Sequence, residues 1–139
     1  MAHRKLKLME NTIIFFTAFF LYGLIEIAFR GYTHYSMALA GGVVLIILYY
    51  LNLKLKTRSL ILRGLLGSAV ITAVEFVTGL LVNIKFSLGV WDYSHQPFNI
   101  LGQICPAFSF CWAGLSVVAF YLSVYIFWKL NKKFPLRQE

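Results

Sequence analysis

The sequence predicts an all-α integral membrane protein, a bundle of four transmembrane helices with both termini on the cytoplasmic side. Three observations carry that prediction. Of the 139 residues, 60% are hydrophobic and 13% charged, whereas soluble domains carry about 25% charged residues. Four apolar segments are long enough to cross ~30 Å of hydrocarbon, which takes about 20 helical residues. The basic residues gather in the flanks of those segments, where cytoplasmic loops place them.

The first span covers residues 11–29, after a flank with Arg4, Lys5 and Lys7. That flank and Ala38-Leu39-Ala40 together resemble a cleaved signal. The apolar run is too long for one, and the Ala pair falls inside the next helix, so the segment reads as an uncleaved span. The second span covers 35–52, the third 59–84 and the fourth 99–128, all within one domain of residues 1–139. None alternates with period two, which separates them from barrel strands.

Eleven of the thirteen Lys and Arg residues lie in the N-terminal flank, around the connection between spans two and three, or in the C-terminal tail. Only Arg30 and Lys85 fall on the other side, which is thereby assigned as the outer one. The net charge of +8 then reflects topology and contact with anionic lipid rather than nucleic acid. Cys105 and Cys111, six residues apart, would sit on different faces of one helix, with neither disulfide nor metal-ligand spacing.

With the topology fixed, the depth of each polar residue becomes informative. Glu75 stands near the middle of the third span, where a charge costs ~2.5–3.5 kcal/mol on insertion scales and therefore faces protein or water. Gly64, Ser68, Thr72, Glu75 and Gly79 follow at spacings of four, four, three and four, one stripe on a helix. Small residues there let a neighbour approach closely. Ser109, Trp112, Ser116, Ala119 and Ser123 form a matching stripe on the fourth span, expected as its packing seam. Glu26 and Arg30, four apart, can pair on the first span.

The segment "GVWDYSHQPFNILGQ" gathers Trp91, Asp92, Tyr93, Ser94 and Asn99 before the fourth span. Pro97 disfavours helix at Gln96. Trp91 and Tyr93 suit a membrane interface, and Asp92, Ser94 and Asn99 suit turns and caps. Two expectations follow: an ordered interfacial turn, or a re-entrant loop that folds over the bundle and presents Asp92 to Glu75. Such a loop survives only where protein or water satisfies its backbone. Asp92, Ser94 and His95 are too close in sequence for a hydrolytic triad. The sequence has no GxSxG, HExxH, CxxC or phosphate-binding loop, and no metal site or cofactor is expected.

These residues carry a resemblance. "VEFVTGLLVNIKFSLGVWDYSHQPFNILGQIC" resembles the signature of the bacterial CmpB family, named as type IV ABC-transporter permeases; eukaryotic transmembrane protein 229 is similar. The matching positions are Glu75, Gly79, Trp91 to Ser94, Asn99, Gly102, Cys105 and Trp112, with Glu26 matching a first-helix Glu. "RGYTHYSMALAGG" departs from the family's Gly-Pro-Cys-Pro segment. The resemblance implies a bacterial plasma-membrane protein linked to transport, with no cofactor and with any ATPase on a separate chain.

The expected function is a small permease-type protein with a substrate or ion site built from Glu75, Glu26, Asp92, Asn99, Trp91, Tyr93 and Ser94. Gly64, Ser68, Thr72, Gly79, Gly102, Ser109 and Ser116 are expected to pack helices, and a homo-oligomer or partner chain to complete the path. Two alternatives stay open: an assembly protein in which the same groups lock helices together, and a membrane enzyme using Glu75 or Asp92 as general base on a lipid headgroup.

Overall fold

The computed structural model describes residues 2–55 and 59–133; Lys56, Arg58 and Arg137 of the charge pattern lie outside them. Helix α1 spans Ala2–Arg30, α2 Tyr35–Lys54, α3 Leu60–Gly79 and α4 Pro106–Lys133. A π-helical turn, Leu80–Lys85, continues α3. Among the described residues, four helices are long and apolar enough to cross a membrane. Among the described residues the only β pairing is an isolated bridge between Ile100 and Ile104.

The helix ends follow local chemistry. The Ser59 hydroxyl accepts the Leu62 N–H at 3.3 Å to cap α3, and His34 Nδ1 accepts the Ser36 N–H at 3.3 Å to cap α2, each satisfying a donor the helix leaves free. Pro106 opens α4, a position where its missing N–H sacrifices no bond. Two boundaries differ from expectation. Helix α1 begins at Ala2 rather than residue 11, because apolarity marks where hydrocarbon ends, not where helix ends. Helix α4 begins at Pro106 rather than residue 99. Phe98, Leu101 and Gly102 take φ of 56°, 53° and 67°, a left-handed conformation incompatible with a continuous right-handed helix.

Helices α1 and α2 pack as one hairpin and α3 and α4 as another. Helix α2 touches both members of the second hairpin, while α1 meets α4 only sparsely. Gly67 sets the α3–α4 approach, since a Cβ there would lie 2.2 Å from Ser116 Cβ. Ile14, Ala18, Leu45, Tyr49 and Ile126 join α1, α2 and α4 in an apolar core. Next to it the Tyr49 hydroxyl donates to the buried Glu10 carboxylate, and Tyr50 donates to Asn11 Oδ1 at 2.6 Å.

Polarity is distributed inside out. Glu10, Glu26, Glu75, Gln103, Ser116 and Ser123 are buried, while Phe16, Phe20, Phe29, Ile61, Phe110 and Val118 are exposed. A soluble fold does not leave so much apolar surface in water; hydrocarbon is its solvent. One end of the bundle carries the 31–34 and 86–105 connections, called here the loop end.

Candidate functional site

The polar stripe of α3 turns toward α4 and the long loop. Ser68 donates to the Ser109 carbonyl, Thr72 Oγ1 bonds Ser109 Oγ at 2.9 Å, and Ser116 donates to the Gly64 carbonyl at 3.2 Å. Further along, Glu75 is 5% exposed. Its Oε1 accepts the Tyr93 hydroxyl at 2.9 Å and its Oε2 accepts the Trp112 indole N–H at 2.9 Å. One donor comes from the loop and one from α4, so the carboxylate joins three segments.

Gly79, one turn on, is where the loop presses closest. A Cβ there would stand 2.5 Å from Gln103 Oε1 and 3.0 Å from Trp91 Cζ2. Asn83, a further turn along the same face, organises the loop. Its Oδ1 accepts the Val90 N–H at 2.7 Å, and its Nδ2 donates to the Trp91 carbonyl at 3.0 Å and Gln103 Oε1 at 2.8 Å. It sits in the π-helical turn, a local widening often found at functional sites. The Trp91 indole donates to the Gln103 carbonyl at 3.0 Å and its ring packs with Met37 and Val90.

Exposure alternates over the four residues from Trp91 to Ser94, before the turn that the Gln96 N–H bond to the Tyr93 carbonyl closes. Trp91 is buried and Tyr93 half-buried, while Asp92 and Ser94 are exposed. Tyr93, not Asp92, therefore reaches Glu75. Asp92 is spent within the loop: its oxygens accept the Ser94 N–H at 2.8 Å and the Ser94 hydroxyl at 2.9 Å. Those two bonds hold the Asp92 carboxyl below its ordinary pKa. Asn99 donates to the Ser94 and Gln96 carbonyls at 3.1 and 2.8 Å and accepts the Gly102 N–H at 2.9 Å. Gly102, expected in a helix seam, is a loop residue whose added Cβ would meet Asp92 Oδ1 at 2.9 Å. Burial, then the nearby Glu75, push the Tyr93 phenol above its ordinary value, so it stays a donor.

Glu26 is buried on α1. It accepts Arg30 at 3.1 Å and the Thr33 hydroxyl at 3.3 Å. Arg30 also donates to the Val90 carbonyl, tying α1 to the long loop. The surroundings of Glu26 and Glu75 differ: Glu26 has a guanidinium partner, whereas among the described residues Glu75 has neutral donors only. Among the described residues no group of three or more His, Cys, Asp or Glu could hold a metal ion. Cys105 is buried and Cys111 exposed, both as free thiols.

Glu75 also forms part of the wall of a cavity of about 180 Å³. All four helices contribute, with Tyr22, Met37, Ile71, Trp112 and Leu115 among the lining. The lining surface is almost wholly apolar, and Glu75, Tyr22 and Trp112 are the residues in it that carry polar side-chain atoms. Sequence reasoning missed Tyr22 and Asn83. Asn83 was detectable, since it extends the spacing of Glu75 and Gly79 by another four residues; nothing in the pattern marked Tyr22.

Fold and site together define a small α-helical membrane protein with a carboxylate held inside its bundle. The family model described as "Putative ABC-transporter type IV" (ABC_trans_CmpB) matches residues 35–138, and the chain belongs to that family. The match takes in Glu75, the loop and Trp112, while Glu26 lies before it. Comparison with curated proteins and with solved structures finds no match.

Proposed function

We propose that this protein is a permease-type membrane component whose substrate binds at Glu75. The observation that carries this is the double character of that residue: both oxygens are fixed by donors, yet the residue still lines a cavity. Each carboxylate oxygen can accept two hydrogen bonds, so one acceptor position per oxygen is left for a ligand. Glu26, already paired with Arg30, braces the loop through the Arg30 bond to the Val90 carbonyl. The loop, fastened by Asn83, Arg30 and Tyr93, acts as its lid. In this reading the loop end faces outside and the termini the cytoplasm, which the gathering of basic residues at the other end favours. Coupling to ATP would need a partner chain, since the sequence contains no phosphate-binding loop.

A second reading is favoured by the same two bonds: Glu75 as a structural tie between α3, α4 and the loop, in an assembly protein. Native mass spectrometry of the wild type and Glu75→Gln separates the two. A small molecule, ion or lipid retained by the wild type and lost from the variant supports the binding site. Identical bound masses with an unchanged oligomer defeat it, and loss of the oligomer alone favours assembly.

A further inference from the structure

The chemistry of the cavity wall names a ligand class. It rests on the reading of Glu75 as a binding site and concerns what the site accepts. We propose that the site takes a lipophilic ammonium compound, an amine joined to an apolar ring or chain, and that it enters sideways from the bilayer between α1 and α4.

The charge argument comes first. Among the described residues no Lys, Arg or His pairs with Glu75; its partners are the Tyr93 phenol and the Trp112 indole. A carboxylate away from water and without a counter-ion is best completed by a cation, whereas an anion beside it is repelled. Aromatic groups of Tyr22 and Trp112 also line the cavity, and aromatic faces attract ammonium groups by their quadrupoles. A carboxylate in a cavity that aromatic residues also line is suited to an amine.

The rest of the ligand must be apolar. The walls beyond Glu75 are aliphatic, including Ala18, Val44, Ile71 and Leu122, and offer a polar solute no hydrogen bonds. The volume of about 180 Å³ slightly exceeds the roughly 150 Å³ of an apolar protein cavity that admits benzene. A ring or short alkyl group therefore fits inside, and a longer chain must trail out.

The route follows from helix packing. Helices α1 and α4 barely touch, and the exposed members of the lining are Leu21 and Ile25 of α1 and Val118 of α4. These residues lie well inside the spans Lys5–Arg30 and Pro106–Lys132, so the mouth faces hydrocarbon. An amphiphile dissolved in the bilayer reaches it without crossing the lid.

The test uses full-length protein in lipid nanodiscs, titrated with benzylamine, benzyl alcohol and benzoate, and read at the Trp112 indole N–H resonance. Benzylamine should give a saturable shift, with at least tenfold weaker responses from the other two. Glu75→Gln should bring benzylamine to the level of the alcohol. Val118→Trp, which fills the mouth without touching Glu75, should abolish the response. Equal affinity for all three probes would overturn the ammonium class, and undiminished binding to Val118→Trp would overturn the sideways route. If native mass spectrometry finds a Glu75-dependent ligand while the probes do not discriminate, the ligand class fails and the site stands. If neither experiment depends on Glu75, both fail.

Discussion

Replacing Tyr93 by Phe isolates one bond in the site. The ring is retained, so its stacking on Phe108, with centroids 4.5 Å apart and planes at 14°, should survive. What disappears is the hydroxyl donated to Glu75 Oε1 at 2.9 Å. Hydrogen bonds to charged groups contribute ~1.5–3 kcal/mol in soluble proteins, but side-chain bonds between membrane helices average ~0.6 and reach ~1.7 kcal/mol. The buried, double-donor geometry puts this bond at the upper end of the membrane range, so Tyr93→Phe should destabilise the fold by about 1–1.7 kcal/mol. Glu75→Leu provides the control. A leucine can neither accept from Tyr93 or Trp112 nor donate to the Tyr93 hydroxyl. Tyr93→Phe therefore removes no bond in that background and should cost almost nothing. Reversible unfolding of the four proteins in mixed micelles gives the coupling energy directly. A value near 1 kcal/mol or above is expected, since independent sites add to within ~0.3–0.5 kcal/mol. Strict additivity would refute the bond.

Three further outcomes are expected. Gly67→Ala, whose Cβ would collide with Ser116 Cβ at 2.2 Å, should destabilise the α3–α4 hairpin by about 1–3 kcal/mol, while Gly114→Ala, with nothing within 4 Å, should be neutral or stabilising; thermal unfolding of both checks this. Asn83→Ala strands the Val90 N–H at a cost of ~1–3 kcal/mol, and hydrogen exchange should quicken across residues 90–103 with α2 unchanged. Asp92 has a folded pKa below its unfolded value of about 3.9. Its contribution to loop order is therefore complete above that value and is lost as pH falls through the folded one; the Ser94 amide resonance should move only in that acid window, and Asp92→Asn should abolish the change.

The four spans were legible because burial in hydrocarbon leaves a run of apolar residues, and no other signal in this chain competes with it. The start of α4 was not. "NILGQIC" is apolar enough to pass for helix, yet Leu101 and Gly102 adopt positive φ in a local turn held by Asn99 and the bridge between Ile100 and Ile104, which apolarity does not mark. Glu75 was legible from depth alone, and the i, i+4 relation announced the Glu26–Arg30 pair. The donors to Glu75 were not, since Tyr93 and Trp112 lie 18 and 37 residues away in sequence. Asp92 attracted attention as a carboxylate, but it is exposed and bonded to Ser94, while Tyr93 beside it is the residue that reaches Glu75.

The most direct experiment is a structure of the full-length protein in lipid nanodiscs, wild type beside Glu75→Gln, at a resolution that separates ligand from side chain. Density of non-protein origin within hydrogen-bond distance of Glu75, lying in the cleft between α1 and α4 and absent from the variant, is the expected result. A cleft closed by its own side chains in both proteins, with Glu75 bonded to Tyr93 and Trp112 and to nothing else, would contradict a binding site and leave the carboxylate as a structural tie.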